Sequence, residues 1–377
     1  MHFDFHLPVR VAFGEGVTGR IQELCSDKRV MIVTTGLKKS QVLDRILKDV
    51  GSPSELIVYR ELEPNPSCDS IDRGARIARE NRVDVIIALG GGSALDAAKG
   101  IVCLRDEPKE VWQNSGGIRD YLFREKTFSR RNTLLIAIPT TSGTGSEVTN
   151  VGVFSDPERH IKQSMVSPFF WSDYAFIDPL FTLTVPEKHT AATGLDAFVH
   201  ALESFWATTA TPISSLTALE ALRLIIENLE TAYRKPDEIE ARTNLSLGSL
   251  LAGIAFSQTR TTVLHALSYP LTSRFNLEHG FACSVTVIPI LKANIPFLGD
   301  RIHQLLTYLN KRSIDEFIRR IESLMISIKA PTSLREIGVK EEDCENIAEY
   351  AVHSPLTKLN PNPLTKESLL AILKEET

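Results

Sequence analysis

Three short β-branched runs dictate how the first half of this chain can fold: Val30–Thr34 (VMIVT), Val83–Leu89 (VDVIIAL) and Leu134–Ile138 (LLIAI), the last stopped by Pro139. Runs this short and this apolar suit strands buried on both faces. Between them, Ile71–Glu80 and Ala94–Leu104 carry helical patterns. Such alternation implies parallel strands with crossover helices on both faces. The character changes near Pro179–Pro186, and helix follows helix: Ala191–Ala207, Leu216–Tyr233, Ala241–Ser257, Arg301–Leu309, Ile314–Ser327 and Lys366–Glu375. Ser284–Ile290 is β-branched within a helical neighbourhood. The expected fold class is therefore an α/β N-terminal domain with a parallel sheet over 1–184, followed by an all-α C-terminal domain over 185–377. A length of 377 residues is ample for two cores.

Composition narrows the partners. Net charge is −5, so no basic field attracts nucleic acid or an anionic membrane surface. Five scattered cysteines, odd in number and without a C-x-x-C pair, argue against a disulfide framework and for a reducing compartment. The opening MHFDFHLPVRVAFGEG has acids and imidazoles where a signal peptide needs an apolar run. No stretch approaches the ~18 apolar residues of a membrane span. A cytoplasmic protein acting on a small molecule is expected, and a homodimer is compatible with everything above.

Two glycine-rich turns stand at predicted strand ends. Gly90-Gly91-Gly92-Ser93 follows VDVIIAL and opens a helix. Glycines there let the backbone approach a pyrophosphate, and the helix N-terminus stabilises its charge. The second is Pro139–Glu147 (PTTSGTGSE), whose hydroxyls can bond phosphate, ribose and carboxamide. Either alone reads equally as a tight turn; two at carboxyl ends of parallel strands point to a shared nucleotide. Neither is a G-x-G-x-x-G fingerprint. After Val30–Thr34 comes Thr35-Gly36-Leu37-Lys38-Lys39, where a ribose-binding carboxylate would select NAD. The missing acid and the two lysines leave room for NADP(H), and the same lysines read equally as a solvated basic loop.

The helical half holds the sharpest pattern. Asp196 and His200 are four apart on a predicted helix and share a face, with His265 and His279 downstream. A lone histidine is usually structural. One carboxylate with three imidazoles suits a divalent ion, Fe(II) or Zn(II), able to polarise a substrate oxygen.

These motifs resemble the iron-containing alcohol dehydrogenase family, of dehydroquinate synthase-like fold, along most of the chain. The matching segments are FGEG (Phe13–Gly16), EPNPS (Glu63–Ser67), GGGSALDAAK (Gly90–Lys99), IPTTSGTGSEVTN (Ile138–Asn150), FIDPLFTLTVP (Phe176–Pro186), TAATGLDAFVHALES (Thr190–Ser204) and NPNPLT (Asn360–Thr365). The resemblance implies metal ligands Asp196, His200, His265 and His279. It implies cofactor contacts at Gly91, Gly92, Ser93, Asp96, Thr140, Thr141, Thr144, Asn150 and Lys162, with Thr35 at the ribose end. It also implies a dinucleotide-binding N-terminal domain, a metal- and substrate-binding helical domain, and hydride transfer between an NAD(P)H nicotinamide and an aldehyde in the cleft between the two.

Three departures stand out. Tyr269 lies four residues after His265 where many members have histidine; with a reference pKa of ~10 it can donate but poorly accept a proton. The NAD-selecting acid is missing. Glu278 precedes His279 where proline is usual. The segment Thr259–Phe275 (TRTTVLHALSYPLTSRF) resembles a subgroup that reduces phosphonoacetaldehyde to 2-hydroxyethylphosphonate. Arg260 and Arg274 flank His265 and could clamp a dianion, Arg274 serving as readily as a surface ion pair. Competing expectations are a general short-chain aldehyde reductase, a glycerol-dehydrogenase-like or dehydroquinate-synthase-like enzyme with three metal ligands, and a non-enzymatic nucleotide-binding protein.

Overall fold

In the computed structural model, which describes residues 2–35, 41–113, 116–159 and 161–377, the β-branched runs of the first half form the centre of one parallel sheet. Its strands are β1 (Arg10–Phe13), β2 (Arg29–Thr34), β3 (Glu55–Tyr59), β4 (Val85–Gly90), β5 (Leu134–Pro139) and β8 (Tyr174–Ile177). They lie in the order β1-β8-β5-β4-β2-β3, every pair parallel. β6 (Val151–Asp156) and β7 (Ile161–Val166) form a separate antiparallel pair.

Side chains alternate across a strand, and that period sends successive residues of β2, β4 and β5 into different cores. Met31, Val33, Ile86, Ala88, Leu135 and Ala137 join one apolar cluster with residues of helices α2 (Cys68–Glu80) and α3 (Gly92–Asp106). Val30, Ile32, Val85, Ile87, Ile136 and Ile138 join the other, with Val42, Leu43 and Ile46 of α1 (Gln41–Asp49). An apolar run without visible alternation is thus what a two-sided strand requires. The short strands β1, β3 and β8 and the β6–β7 pair escaped the sequence reading, although β3 (ELIVY) carries an apolar run of the same kind.

The chain divides into two compact units: Leu7–Thr141 with Ser146–Thr182, and Met1–His6, Ser142–Gly145 and Leu183–Thr377. The second unit is helical. It contains α4 (Glu187–Trp206), α5 (Pro212–Arg234), α6 (Ile239–Thr259), α7 (Val263–Phe275), α8 (His279–Ser284), α9 (Val287–Leu298), α10 (Asp300–Tyr308), α11 (Ile314–Ser327), α12 (Glu341–His353) and α13 (Lys366–Glu375). Helix α4 is buried along almost its whole length from Thr190 to Trp206, so it serves as the unit's core helix. Arg301 donates to the carbonyls of Phe205, Trp206 and Ala207, at 3.3, 3.0 and 2.9 Å, placing a cation on orphan acceptors at its negative end. Thr211 and Ser214 form a capping box on α5, a device of about 1 kcal/mol.

The β-branched Ser284–Ile290 segment resolves into the end of α8 and the start of α9. Val285, Val287 and Ile290 all enter the helical core, so burial overrides strand propensity there. Among the described residues, no helix is long and apolar enough to cross a membrane.

Candidate metal centre and phosphate-binding loops

The middle of α4 carries Asp196 and His200, which face one way because they are one turn apart. Helix α7 begins two residues before His265, and α8 begins with His279. The fold brings these four side chains together. His265 Nε2 lies 3.0 Å from His200 Nε2. Asp196 Oδ1 is 3.8 Å from Nε2 of both His265 and His279. His200 Nδ1 stands 4.0 Å from the other Asp196 oxygen. Asp196, His200 and His265 are buried, whereas the His279 side chain is 33% exposed.

Three neighbours complete the cluster. Glu203, fully buried one turn beyond His200, meets His265 Nδ1 at 2.6 Å through Oε2. Phe256 stacks on the His200 ring with centroids 4.4 Å apart. Cys283, one turn after His279, places Sγ 3.7 Å from His279 Nε2. Asp196, His265, His279 and Cys283 each offer one donor atom, all within 4.8 Å of one another. The sequence reading overlooked Glu203 and Cys283, although each stands three or four residues after a candidate ligand, where helical periodicity returns a side chain to the same face.

The donor chemistry fits a first-row divalent ion. Burial pushes His200 down to about 4, so at neutral pH it is an uncharged imidazole. Burial acts the same way on His265, but anionic Cys283 and Glu203 outweigh it and raise its pKa. Burial raises Cys283, which His265 and His279 nonetheless bring to about 7. The His200 and His265 rings are stacked, 25° from parallel. Their Nε2 atoms stand 3.0 Å apart, within hydrogen-bonding distance of each other and close enough to bind one cation together. A tetrahedral ion with bonds of ~2.0–2.2 Å sets its donors roughly 3.3–3.6 Å apart, and the observed separations bracket that range.

Tyr269 is half-buried on α7, its ring 6.5 Å from that of His279. Arg260 terminates α6 with φ 68° and ψ 174°. That region is essentially reserved for glycine. Its side chain is half-buried, whereas Arg274 is exposed near the end of α7. Glu278 pairs with Lys188 at 2.5 Å.

In the α/β unit, Gly90 has φ 151°, and a Cβ there would meet the Ala94 Cβ at 2.8 Å. The glycine lets α3 start directly at the strand end, leaving first-turn N–H groups available to an anion. Ser93 accepts from the Asn65 amide at 3.2 Å, and Lys162 donates to Asn65 Oδ1 at 2.7 Å, so the EPNPS turn ties these two together. Thr140 donates its amide to Gly90, and the Thr141 hydroxyl lies 3.2 Å from where a Gly91 Cβ would be. Thr35 is half-buried at the end of β2; Gly36, Lys38 and Lys39, on which the NADP(H) expectation leaned, lie outside the described residues. Asn150 accepts from the Ser167 amide through its backbone carbonyl. Thr144 belongs to the short stretch that groups with the helical unit.

Asp96 turns inward. Its oxygens accept from the Ser146 hydroxyl at 2.6 Å and the Val153 amide at 2.9 Å. Beside it the fully buried Lys99 donates to Ser146, Thr149 and the Val151 carbonyl. Burial brings that ammonium down to about 8, and it brings Glu147 up to about 7. These groups organise the second loop from within, so Asp96 shapes the loop through Ser146 and Val153.

Residues 8–179 match the family described as iron-containing alcohol dehydrogenase, and residues 190–377 match the C-terminal part of the Fe-containing alcohol dehydrogenase family. Alcohol dehydrogenase 4 of Saccharomyces cerevisiae is 32% identical over 98% of this chain and 97% of its own. The NADPH-dependent butanol dehydrogenase of Clostridium saccharobutylicum is 29% identical with the same coverage. Among solved structures, sulfoacetaldehyde reductase from Bifidobacterium kashiwanohense in complex with NAD+ superposes with a TM-score of 0.92 at 30% identity, covering 100% of this chain and 99% of that one. With matches that span both halves, this chain belongs to the iron-containing alcohol dehydrogenase family and is an alcohol/aldehyde oxidoreductase.

Proposed function

We propose that Asp196, His200, His265 and His279 hold a divalent ion, Fe(II) first and Zn(II) second, and that the enzyme interconverts an aldehyde and a primary alcohol with NADP(H) as its favoured cofactor. The supporting observation is the pair of buried imidazole nitrogens 3.0 Å apart beside a buried carboxylate. When bound, such an ion polarises a substrate oxygen, and the nicotinamide exchanges a hydride with the adjoining carbon. Asp196 supplies the negative charge that a buried cation needs. Phe256 covers one face of His200 and excludes water from it. The α3 N-terminus, Gly91, Gly92, Ser93, Thr140, Thr141 and Thr144 offer N–H and O–H groups for the dinucleotide, with Asn150 and Lys162 nearby in the chain. The Tyr269 hydroxyl is a hydrogen-bond donor, suited to donation toward a developing alkoxide.

For the substrate, we infer a small aldehyde with an anionic head group, phosphonoacetaldehyde foremost. Arg260 stands five residues before His265, on a backbone conformation that costs an arginine free energy. The similarity to a sulfoacetaldehyde reductase, whose substrate is also an anionic aldehyde, supports the same class. NADP(H) is supported by the missing acid at Thr35 and by a relative named for NADPH. The test is metal analysis of the purified protein with steady-state NADPH and NADH oxidation on phosphonoacetaldehyde, propionaldehyde and butyraldehyde. A kcat/KM preference of about tenfold or more for the phosphonate is expected. Equal values would make the enzyme a general short-chain aldehyde reductase, and use of NADH alone would overturn the cofactor reading.

A further inference from the structure

Glu203 is fully buried and uses both carboxylate oxygens. Oε1 accepts from the Thr262 hydroxyl at 2.7 Å and from the Leu264 amide at 2.7 Å. The Thr262 hydroxyl in turn accepts from Trp206 Nε1 at 2.9 Å, which commits its own proton to the carboxylate. Oε2 meets His265 Nδ1 at 2.6 Å. The network runs Trp206 to Thr262 to Glu203 to His265, and each member has one role available to it. Trp206 and Leu264 can only donate.

We propose that Glu203 is a positioning residue that fixes the tautomer of His265, holding the proton on Nδ1 so that the Nε2 lone pair faces His200 and Asp196. The inference rests on the reading that His265 is a metal ligand. Oε1 already takes two hydrogen bonds and Oε2 stands 2.6 Å from Nδ1, so as a carboxylate Glu203 only accepts and Nδ1 carries the hydrogen between them. A neutral imidazole has one proton, and Nε2 is left as the donor atom. Outer partners of this kind typically change metal affinity ~10–100-fold when they are altered.

Glutamine at this position has a defined failure. Its amide oxygen must face the Leu264 N–H and Thr262 hydroxyl, because an NH2 group there would meet two donors. The NH2 is thereby turned toward His265, where it donates to Nδ1 and drives the imidazole proton onto Nε2. The ligand would be blocked by its own hydrogen while the helix contacts survive. Aspartate keeps the charge and the acceptor character but is one methylene shorter.

The experiment uses the full-length chain stripped of metal, with Zn(II) affinity measured by competition against a chromophoric chelator and thermal unfolding of the metal-free protein as a fold control. Glu203→Gln should bind Zn(II) roughly 10–100-fold more weakly than wild type, with little change in the metal-free unfolding temperature. Glu203→Asp should fall between the two. His265→Ala, run alongside, should lose high-affinity Zn(II) binding. Retention of Zn(II) by His265→Ala would reject the ligand assignment itself. If His265→Ala loses the ion while Glu203→Gln stays within about threefold of wild type, the positioning role fails alone. It also fails if Glu203→Asp binds more weakly than Glu203→Gln, since charge and acceptor character would then be irrelevant.

Discussion

Replacing Arg260 by alanine and by glycine separates what the side chain does from what its backbone costs. At φ 68° and ψ 174° the residue occupies a region open to glycine and strained for any side chain with a Cβ. The position is held by local bonds: the Arg260 amide closes α6 on Phe256 O at 2.8 Å, and the Thr259 hydroxyl donates to the Arg260 carbonyl at 2.9 Å. Strain of this type costs ~1–3 kcal/mol, whereas glycine loses an additional ~0.5–1 kcal/mol of backbone entropy on folding. Arg260→Gly should therefore be about 1–2 kcal/mol more stable than Arg260→Ala, the reverse of the usual ranking. Both variants lose the guanidinium alike. A charge-assisted, two-pronged bond to a phosphonate contributes on the order of 1.5–3 kcal/mol, so kcat/KM for phosphonoacetaldehyde should fall roughly ten- to a hundredfold in each. Butyraldehyde presents no anion and should fall far less. Urea unfolding at matched metal loading and steady-state NADPH oxidation read the two effects independently. An alanine variant as stable as the glycine variant would refute the strain argument, and equal losses on both substrates would make Arg260 structural.

The buried acid of the second loop makes a pH prediction. Glu147 is raised to about 7, so between its unfolded value near 4.5 and 7 the folded state holds more protons than the unfolded one. Its contribution is thus fully present below 4.5 and is lost as pH rises through 7; Glu147→Gln should flatten that part of the urea-midpoint profile, and an unchanged slope would count against it. At the metal centre, His200→Ala should lose both metal and turnover, whereas Cys283→Ser should retain them, as read by metal analysis and NADPH oxidation. The opposite pattern would move the fourth ligand from His200 to Cys283. Gly36→Asp should weaken NADPH more than NADH in steady-state kinetics by restoring a carboxylate toward the ribose, and an unchanged cofactor ratio would contradict this.

Much of this protein was legible along the chain because the relevant physics is local or periodic. Apolar β-branched runs identify two-sided strands, glycines at their ends identify close backbone approach, and a four-residue spacing places Asp196 and His200 on one helical face. Helices Ile314–Ser327 and Lys366–Glu375 fall where their sequence periodicity puts them. Helix α7 shows where that legibility ends: its segment carries Pro270, which argues against a helix, so only packing declares it one. The same holds for Val285 and Val287, β-branched residues that burial draws into helical surroundings.

Tertiary structure alone decides which side chains converge. Glu203 reads as one more acid on a long helix until the chain returns 62 residues later and sets His265 Nδ1 against it. Asp96 reads along the chain as a residue of the GGGSALDAAK segment, and only the fold brings Ser146 and Val153 to its two oxygens. Lys99 closes that segment, and the fold buries it fully among loop hydroxyls. Local spacing fixes where a residue points relative to its own helix or strand. Which donors, acceptors and charges it meets depends on segments distant in sequence, and burial makes those meetings energetically decisive by removing the water that would otherwise substitute for them.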